Sequence, residues 1–182
     1  LHQPEAILSQ LYAGGYTAVA DASKFFYQFP TVPSERKYLG LLHPVSGALY
    51  EYLGLPMGSS NSPAVAGRMG ASFFRLLTQA HQELFGGVGE FNTWYEGLNG
   101  RGYSPLLGHG LILRSSDGLP AVKVFIHCDD FCVHGPTHEK TVAALNALMD
   151  CALDVGLLFN PKKVNQPSQE AKYCGFVYDT QA

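Results

Sequence analysis

Val122-Lys123-Val124-Phe125-Ile126-His127-Cys128-Asp129-Asp130-Phe131-Cys132-Val133-His134-Gly135 is the stretch that decides the fold. Two runs rich in β-branched and aromatic side chains flank a pair of adjacent aspartates, and the second run stops at Gly135-Pro136. The pattern predicts a β-hairpin with Asp129 and Asp130 at or near its tight turn. Hairpin turns usually carry Asn-Gly or Asp-Gly, whose glycine accepts a positive φ. An Asp-Asp pair forgoes that advantage and sets two negative charges side by side. A solvated polar turn tolerates such repulsion, whereas a divalent cation between the carboxylates would put it to use.

On the C-terminal side, Thr137 caps a helix that the periodicity carries to about Val155, with Val142, Leu145, Leu148, Met149 and Ala152 as its apolar stripe and Gly156 at the C′ position. His134 and His138 are four apart, but a turn and a cap separate them, which argues against a zinc pair. Leu157–Lys163 and Tyr173–Tyr178 read as two further strands.

On the N-terminal side, Pro4–Tyr12 has Ile7, Leu8 and Leu11 at helical spacing and is ended by Gly14-Gly15. Tyr16–Ala20 reads as a buried strand that delivers Asp21. The aromatic cluster Phe25, Phe26, Tyr27 and Phe29, closed by Pro30, is core-packing material by composition. A second hairpin pairs Tyr38–Leu42 with Ala48–Tyr52 around Pro44-Val45-Ser46-Gly47. The small, polar loop Leu55–Ser62 then leads into a helix with Ser62 as N-cap and Pro63 at the first helical position. That helix is expected to run to about Leu84, with Val65, Met69, Phe73, Leu76 and Leu77 facing the core. Phe85 to Pro120 reads as an irregular insertion with turns at Asn99-Gly100 and Asp117-Gly118. Its Gly86-Gly87-Val88-Gly89 lacks the preceding strand and following Lys-Ser/Thr of a phosphate loop.

The 182 residues suit one domain, and 46% hydrophobic with 15% charged residues supply a core and argue against disorder. A net charge of −3 is the opposite of the basic excess from which free-standing nucleic-acid binders draw affinity, so such a surface would belong to other segments of a longer protein. The cysteines Cys128, Cys132, Cys151 and Cys174 form no C-x-x-C pair and read as buried, reduced thiols of an intracellular protein, in cytoplasm or nucleus. No apolar run approaches the roughly 18 residues of a membrane span. The opening at Leu1, without a methionine, reads as an excerpt.

Taken in order, these pieces resemble the palm of a reverse transcriptase of the retrotransposon kind, over about Val19 to Tyr178. Asp21 through Pro30 resembles the family's first catalytic motif, including the aromatic five residues after the aspartate. Leu55-Pro56-Met57-Gly58 followed by Ser62-Pro63-Ala64 is similar to the second. His127-Cys128-Asp129-Asp130 matches the third, usually Tyr-x-Asp-Asp. Asn160-Pro161-Lys162-Lys163 and Cys174-Gly175-Phe176 resemble the fourth and fifth. One such match is weak, and five in the correct order are strong.

The resemblance implies an α+β fold, a palm whose antiparallel sheet packs on helices, with partial fingers over residues 1–182. It implies an RNA-directed DNA polymerase in which a primer hydroxyl attacks the α-phosphorus of a deoxynucleotide while pyrophosphate leaves. It further implies magnesium, or manganese, held by Asp21, Asp129 and the carbonyl of Ala22, with Asp130 as the supporting carboxylate. Phe26 would lie beneath the nucleotide sugar and exclude a 2′-hydroxyl, and Met57 and Gly58 would pack on the nucleotide. Lys163, rather than Lys162, would act on the departing pyrophosphate. His127, Cys128, Gly175 and Phe176 would face primer and template. The expected partners are an RNA or DNA template-primer, deoxynucleoside triphosphates and the rest of a polyprotein (fingers, thumb, RNase H), with no membrane.

The sequence also departs from the family: His127 stands for the usual tyrosine, and the insertion between the second and third motifs is long. Two other readings stay open, an inactive palm kept as a binding or scaffold module and an RNA-dependent RNA polymerase.

Overall fold

The computed structural model describes residues 7, 8, 10–85 and 120–181. In chain order these form β1 (Tyr16–Ala22), a 3₁₀ turn (Phe25–Gln28), α1 (Pro33–Arg36), β2 (Gly40–Leu42), β3 (Leu49–Glu51), α2 (Ser62–Ala80) and α3 (Gln82–Phe85). After the insertion come β4 (Lys123–His127), β5 (Asp130–Gly135), α4 (His138–Val155), β6 (Phe159–Val164), β7 (Glu170–Tyr173) and β8 (Phe176–Asp179). The insertion expected between Phe85 and Pro120 and residues 4–6 and 9 of the helix expected over Pro4–Tyr12 lie outside the described residues.

Four strands form one antiparallel sheet in the order β4-β5-β1-β6. Side chains alternate between its faces, and the sequence of β1 shows what each face requires. Ala18, Ala20 and Ala22 join one buried cluster with Phe131, Val133, Leu77, Leu145 and Leu148, so α2 and α4 pack on that face. The small alanines let those helices lie close. Val19 belongs to a second cluster with Phe125, Cys132, Tyr173 and Tyr178, which places the β7–β8 hairpin on the opposite face. Phe131, Leu77 and Leu148 are at most 1% exposed, and each such side chain contributes roughly 1.5–3 kcal/mol by burial. This is the α+β architecture the sequence predicts, with the Asp-Asp hairpin supplying two adjacent strands of the sheet, one of them its outer strand.

The β2–β3 hairpin stands apart, with every residue of both strands exposed. Its stem is tied back where Pro30 bridges Gly54, and there Gly54 is indispensable: a Cβ would come within 2.5 Å of the Tyr27 carbonyl oxygen. Between the 3₁₀ turn, α2 and the end of α4 lies a cavity of about 210 Å³, walled by Phe25, Phe29, Phe73 and Phe131.

Several local expectations shift. Asn61, not Ser62, precedes α2, because the Ser62 hydroxyl donates to the Pro56 carbonyl at 2.8 Å instead of capping. The helix stops at Ala80, and Gln82–Phe85 is a separate turn. Its buried stripe is Ala66, Gly70, Phe73 and Leu77, with Met69 and Leu76 about half exposed. Tyr173–Tyr178 is not one strand but the tip of the β7–β8 hairpin. Cys174 and Gly175 both take positive φ (48° and 86°), as a type I′ turn requires. Of the four thiols, Cys132 and Cys151 are buried, whereas Cys128 and Cys174 are only half-buried. Thr137 does cap α4, its side chain accepting from the Lys140 N–H, and Gly156 ends the helix at φ 75°.

Candidate active site

The acids meet through strand register. β1 and β5 pair so that Thr17 faces His134, Val19 faces Cys132 and Asp21 faces Asp130. Partners directly opposite in an antiparallel pair share a face. Asp21 and Asp130 therefore extend the row that lies on the β7–β8 side of the sheet. The two-residue loop Cys128-Asp129 closes the β4–β5 hairpin, and His127 pairs with Asp130 across it. Asp130 is thus the first strand residue, and Cys128 supplies the turn's positive φ of 52° in place of a glycine. Beyond the sheet's last pair, the Ala22 N–H donates to the Asp129 carbonyl at 2.7 Å. Residues more than a hundred positions apart are so brought to one sheet edge.

Like charges directly opposite one another destabilise a sheet unless compensated. Burial raises the Asp130 carboxyl above the ordinary carboxylate range, and the negative charges of Asp129 and Asp21 raise it further, partly offset by Lys163. The compensating cation is Lys163 on β6, whose Nζ stands 3.0 Å from Asp21 Oδ2. That hydrogen bond raises the Lys163 ammonium above an ordinary lysine. His127 is held below the ordinary imidazole value by burial.

The donor set suits a hard cation: three carboxylates at one edge, oxygen donors only, with Asp130 destabilised as an anion by its neighbours. Among the described residues, however, no group of three or more His, Cys, Asp or Glu side chains is gathered closely enough to hold an ion, and Asp21 accepts a hydrogen bond from Lys163.

The remaining expected residues surround this edge. Phe26 lies in the 3₁₀ turn that follows β1, half-buried and edge-on to Phe25. Met57 is 67% exposed and Gly58 takes φ 89°, in the loop held by Ser62. Gly175 and Phe176 are exposed at the tip of the β7–β8 hairpin. Burial pushes the neighbouring Cys174 thiol up to about 11, opposed by its hydrogen bond with Tyr173 and reinforced by the negative charge of Asp130. The Lys162 N–H donates to Asn160 Oδ1 at 3.1 Å. Of His134 and His138, the first is buried against Tyr12 and Thr17 and the second packs edge-on to Tyr16. They form no metal pair.

Sequence reasoning missed Gln28. Its side-chain amide donates to the carbonyls of Ser23 (2.5 Å) and Leu158 (2.9 Å) and accepts from the Leu158 N–H (2.7 Å). The available signal is one amide set among four aromatic residues.

Comparison with known proteins follows the geometry. The profile described as reverse transcriptase (RNA-dependent DNA polymerase) matches residues 10–178. No curated protein sequence matches. Among solved structures, the foamy viral protease-reverse transcriptase in complex with double-stranded DNA is similar at TM-score 0.61 and 15% identity, covering 98% of this chain and 28% of that one. The same protein in complex with an RNA/DNA hybrid is similar at TM-score 0.63 and 18% identity, covering 98% and 18%. The native prototype foamy virus protease-reverse transcriptase gives 0.62 and 18%, again covering 98% and 18%. The chain thus spans about a fifth to a quarter of the length of these structures.

Proposed function

The chain belongs to the reverse transcriptase (RNA-dependent DNA polymerase) family, and from that premise we propose that it is the palm, with partial fingers, of an RNA-directed DNA polymerase encoded by a retrotransposon polyprotein. The single observation that carries this reading is the register that sets Asp21 opposite Asp130 and the Ala22 N–H on the Asp129 carbonyl. It converts two distant sequence motifs into one acidic edge.

In this reading Asp21, Asp129 and the Ala22 carbonyl hold magnesium or manganese, with Asp130 supporting. The bound ions would activate the primer hydroxyl and neutralise charge on the leaving pyrophosphate. Phe26 lies under the sugar and excludes a 2′-hydroxyl, and the Met57-Gly58 loop packs on the incoming deoxynucleotide. Lys163 would give its proton to the departing pyrophosphate oxygen, a role supported by its standing at the acidic edge in a hydrogen bond with Asp21. His127, Cys128, Gly175 and Phe176 form the surface for template and primer. The foamy viral structures bound to double-stranded DNA and to an RNA/DNA hybrid support a nucleic-acid partner.

Primer extension on an RNA template tests the proposal. Asp129→Asn should lower kcat by on the order of 10²-fold or more, the scale of several kcal/mol of lost transition-state stabilisation. Phe26→Ala should admit ribonucleotides that the wild type rejects. Equal rates for wild type and Asp129→Asn would overturn it.

One observation favours a second reading, a palm retained for binding: no three-acid cage is gathered among the described residues. That reading expects identical manganese titrations for wild type and Asp129→Asn.

A further inference from the structure

The geometry points to Gln28 as a positioning residue that fixes where Lys163 stands relative to Asp21; the inference rests on the palm reading above. The Gln28 carboxamide behaves as an additional peptide group. It pairs with Leu158 in both directions, accepting from its N–H at 2.7 Å and donating to its carbonyl at 2.9 Å. Its second amide proton goes to the Ser23 carbonyl at 2.5 Å. All the N–H groups of the amide are therefore committed. The Ser23 N–H, in turn, donates to the Leu158 carbonyl at 2.9 Å, so one small network joins the turn after Asp21 to the segment entering β6.

β6 needs such a fastening. It meets β1 at only two register pairs, Ala22 with Phe159 and Ala20 with Val164. Two steps along β1 are thus matched by five along β6, so the register shifts across Asn160–Lys163, which forms a bulge in the strand. Lys163 sits at the end of this bulge with a side chain 59% exposed. Packing does little to hold it. Its place is set by where the two ends of the bulge are pinned, and Gln28 secures the entering end at Leu158, next to Phe159. Phe26 lies two residues before Gln28 in the same 3₁₀ turn. The same amide consequently ties the turn that carries Phe26 to the strand that carries Lys163.

The test replaces Gln28 by leucine, which keeps the bulk and removes the hydrogen bonds. Gln28→Met, with its unbranched chain, serves if leucine disturbs the fold. In the full chain, NMR contacts between the Lys163 ε-methylene and Asp21 β-methylene protons should weaken in Gln28→Leu, and exchange of the Leu158 amide should quicken. In primer extension, kcat should fall roughly tenfold with the nucleotide KM little changed, the cost of misplacing a reacting group. Added to Lys163→Ala, the same change should cost almost nothing more. Unaltered Lys163–Asp21 contacts in Gln28→Leu, or losses that multiply in the double variant, would overturn the inference. A longer polymerase carrying this chain that extends no primer, yet whose Lys163–Asp21 contacts respond to Gln28→Leu, would overturn the palm reading alone.

Discussion

His134 shows how one buried side chain links sequence to acid sensitivity. It is 0% exposed, at the end of the β1–β5 row away from the acids. Its Nε2 accepts from the Tyr12 N–H at 2.7 Å, so the neutral ring carries its proton on Nδ1 and donates to Thr17 Oγ1 at 2.9 Å. Burial, then the nearby Lys123 charge, push its pKa down to about 4. A second ring proton would confront the Tyr12 N–H. The unfolded chain takes up that proton near pH 6.5 and the folded chain only near 4, so stability is full above 6.5 and is lost as pH falls towards 4. Urea unfolding at pH 7 and 4.5 should register a loss of up to about 3 kcal/mol, reduced in His134→Gln. Legibility at this scale is uneven. Asp21 and Asp129 are readable because an acid ending an apolar strand run needs a reason. Gln28 is not, because its partner Leu158 lies 130 positions away and leaves no local pattern.

Elements were legible in kind and less so in phase. The periodicity of α2 identifies a helix, yet the buried line is Ala66, Gly70, Phe73 and Leu77, not the larger Met69 and Leu76. Hydrophobic bulk misleads here because the helix approaches β4 closely and small residues permit it. Gly70 is smaller than that approach demands: a Cβ there would lie 3.4 Å from Ile126 Cγ2, an ordinary contact. It also borders the 210 Å³ cavity. Gly70→Ala should therefore stabilise the chain by roughly 0.5–1 kcal/mol through helix propensity, read as a higher urea midpoint with unchanged slope. The β7–β8 turn is hidden in the sequence for the opposite reason. Cys174 at φ 48° is an uncommon residue for a type I′ position, so nothing in its chemistry announces a turn.

At the scale of the whole molecule, the order of the motifs was the readable part, since each is local and only their succession is distinctive. Charge decides what these residues do alone. With a net −3, the 182 residues offer little to a phosphate backbone, and the β2–β3 hairpin is exposed along its full length. By themselves they should bind a template-primer weakly and extend it at a small fraction of the rate reached in a longer polymerase. Fluorescence anisotropy over a salt series, run beside primer extension, checks both. A further consequence follows from the clasp in which the Gly14 N–H donates to the Thr180 carbonyl at 2.7 Å and the Thr180 hydroxyl to the Gly15 carbonyl at 2.6 Å. The entry to β1 and the exit from β8 are thus fastened together, about 20 Å along β1 from the acidic edge.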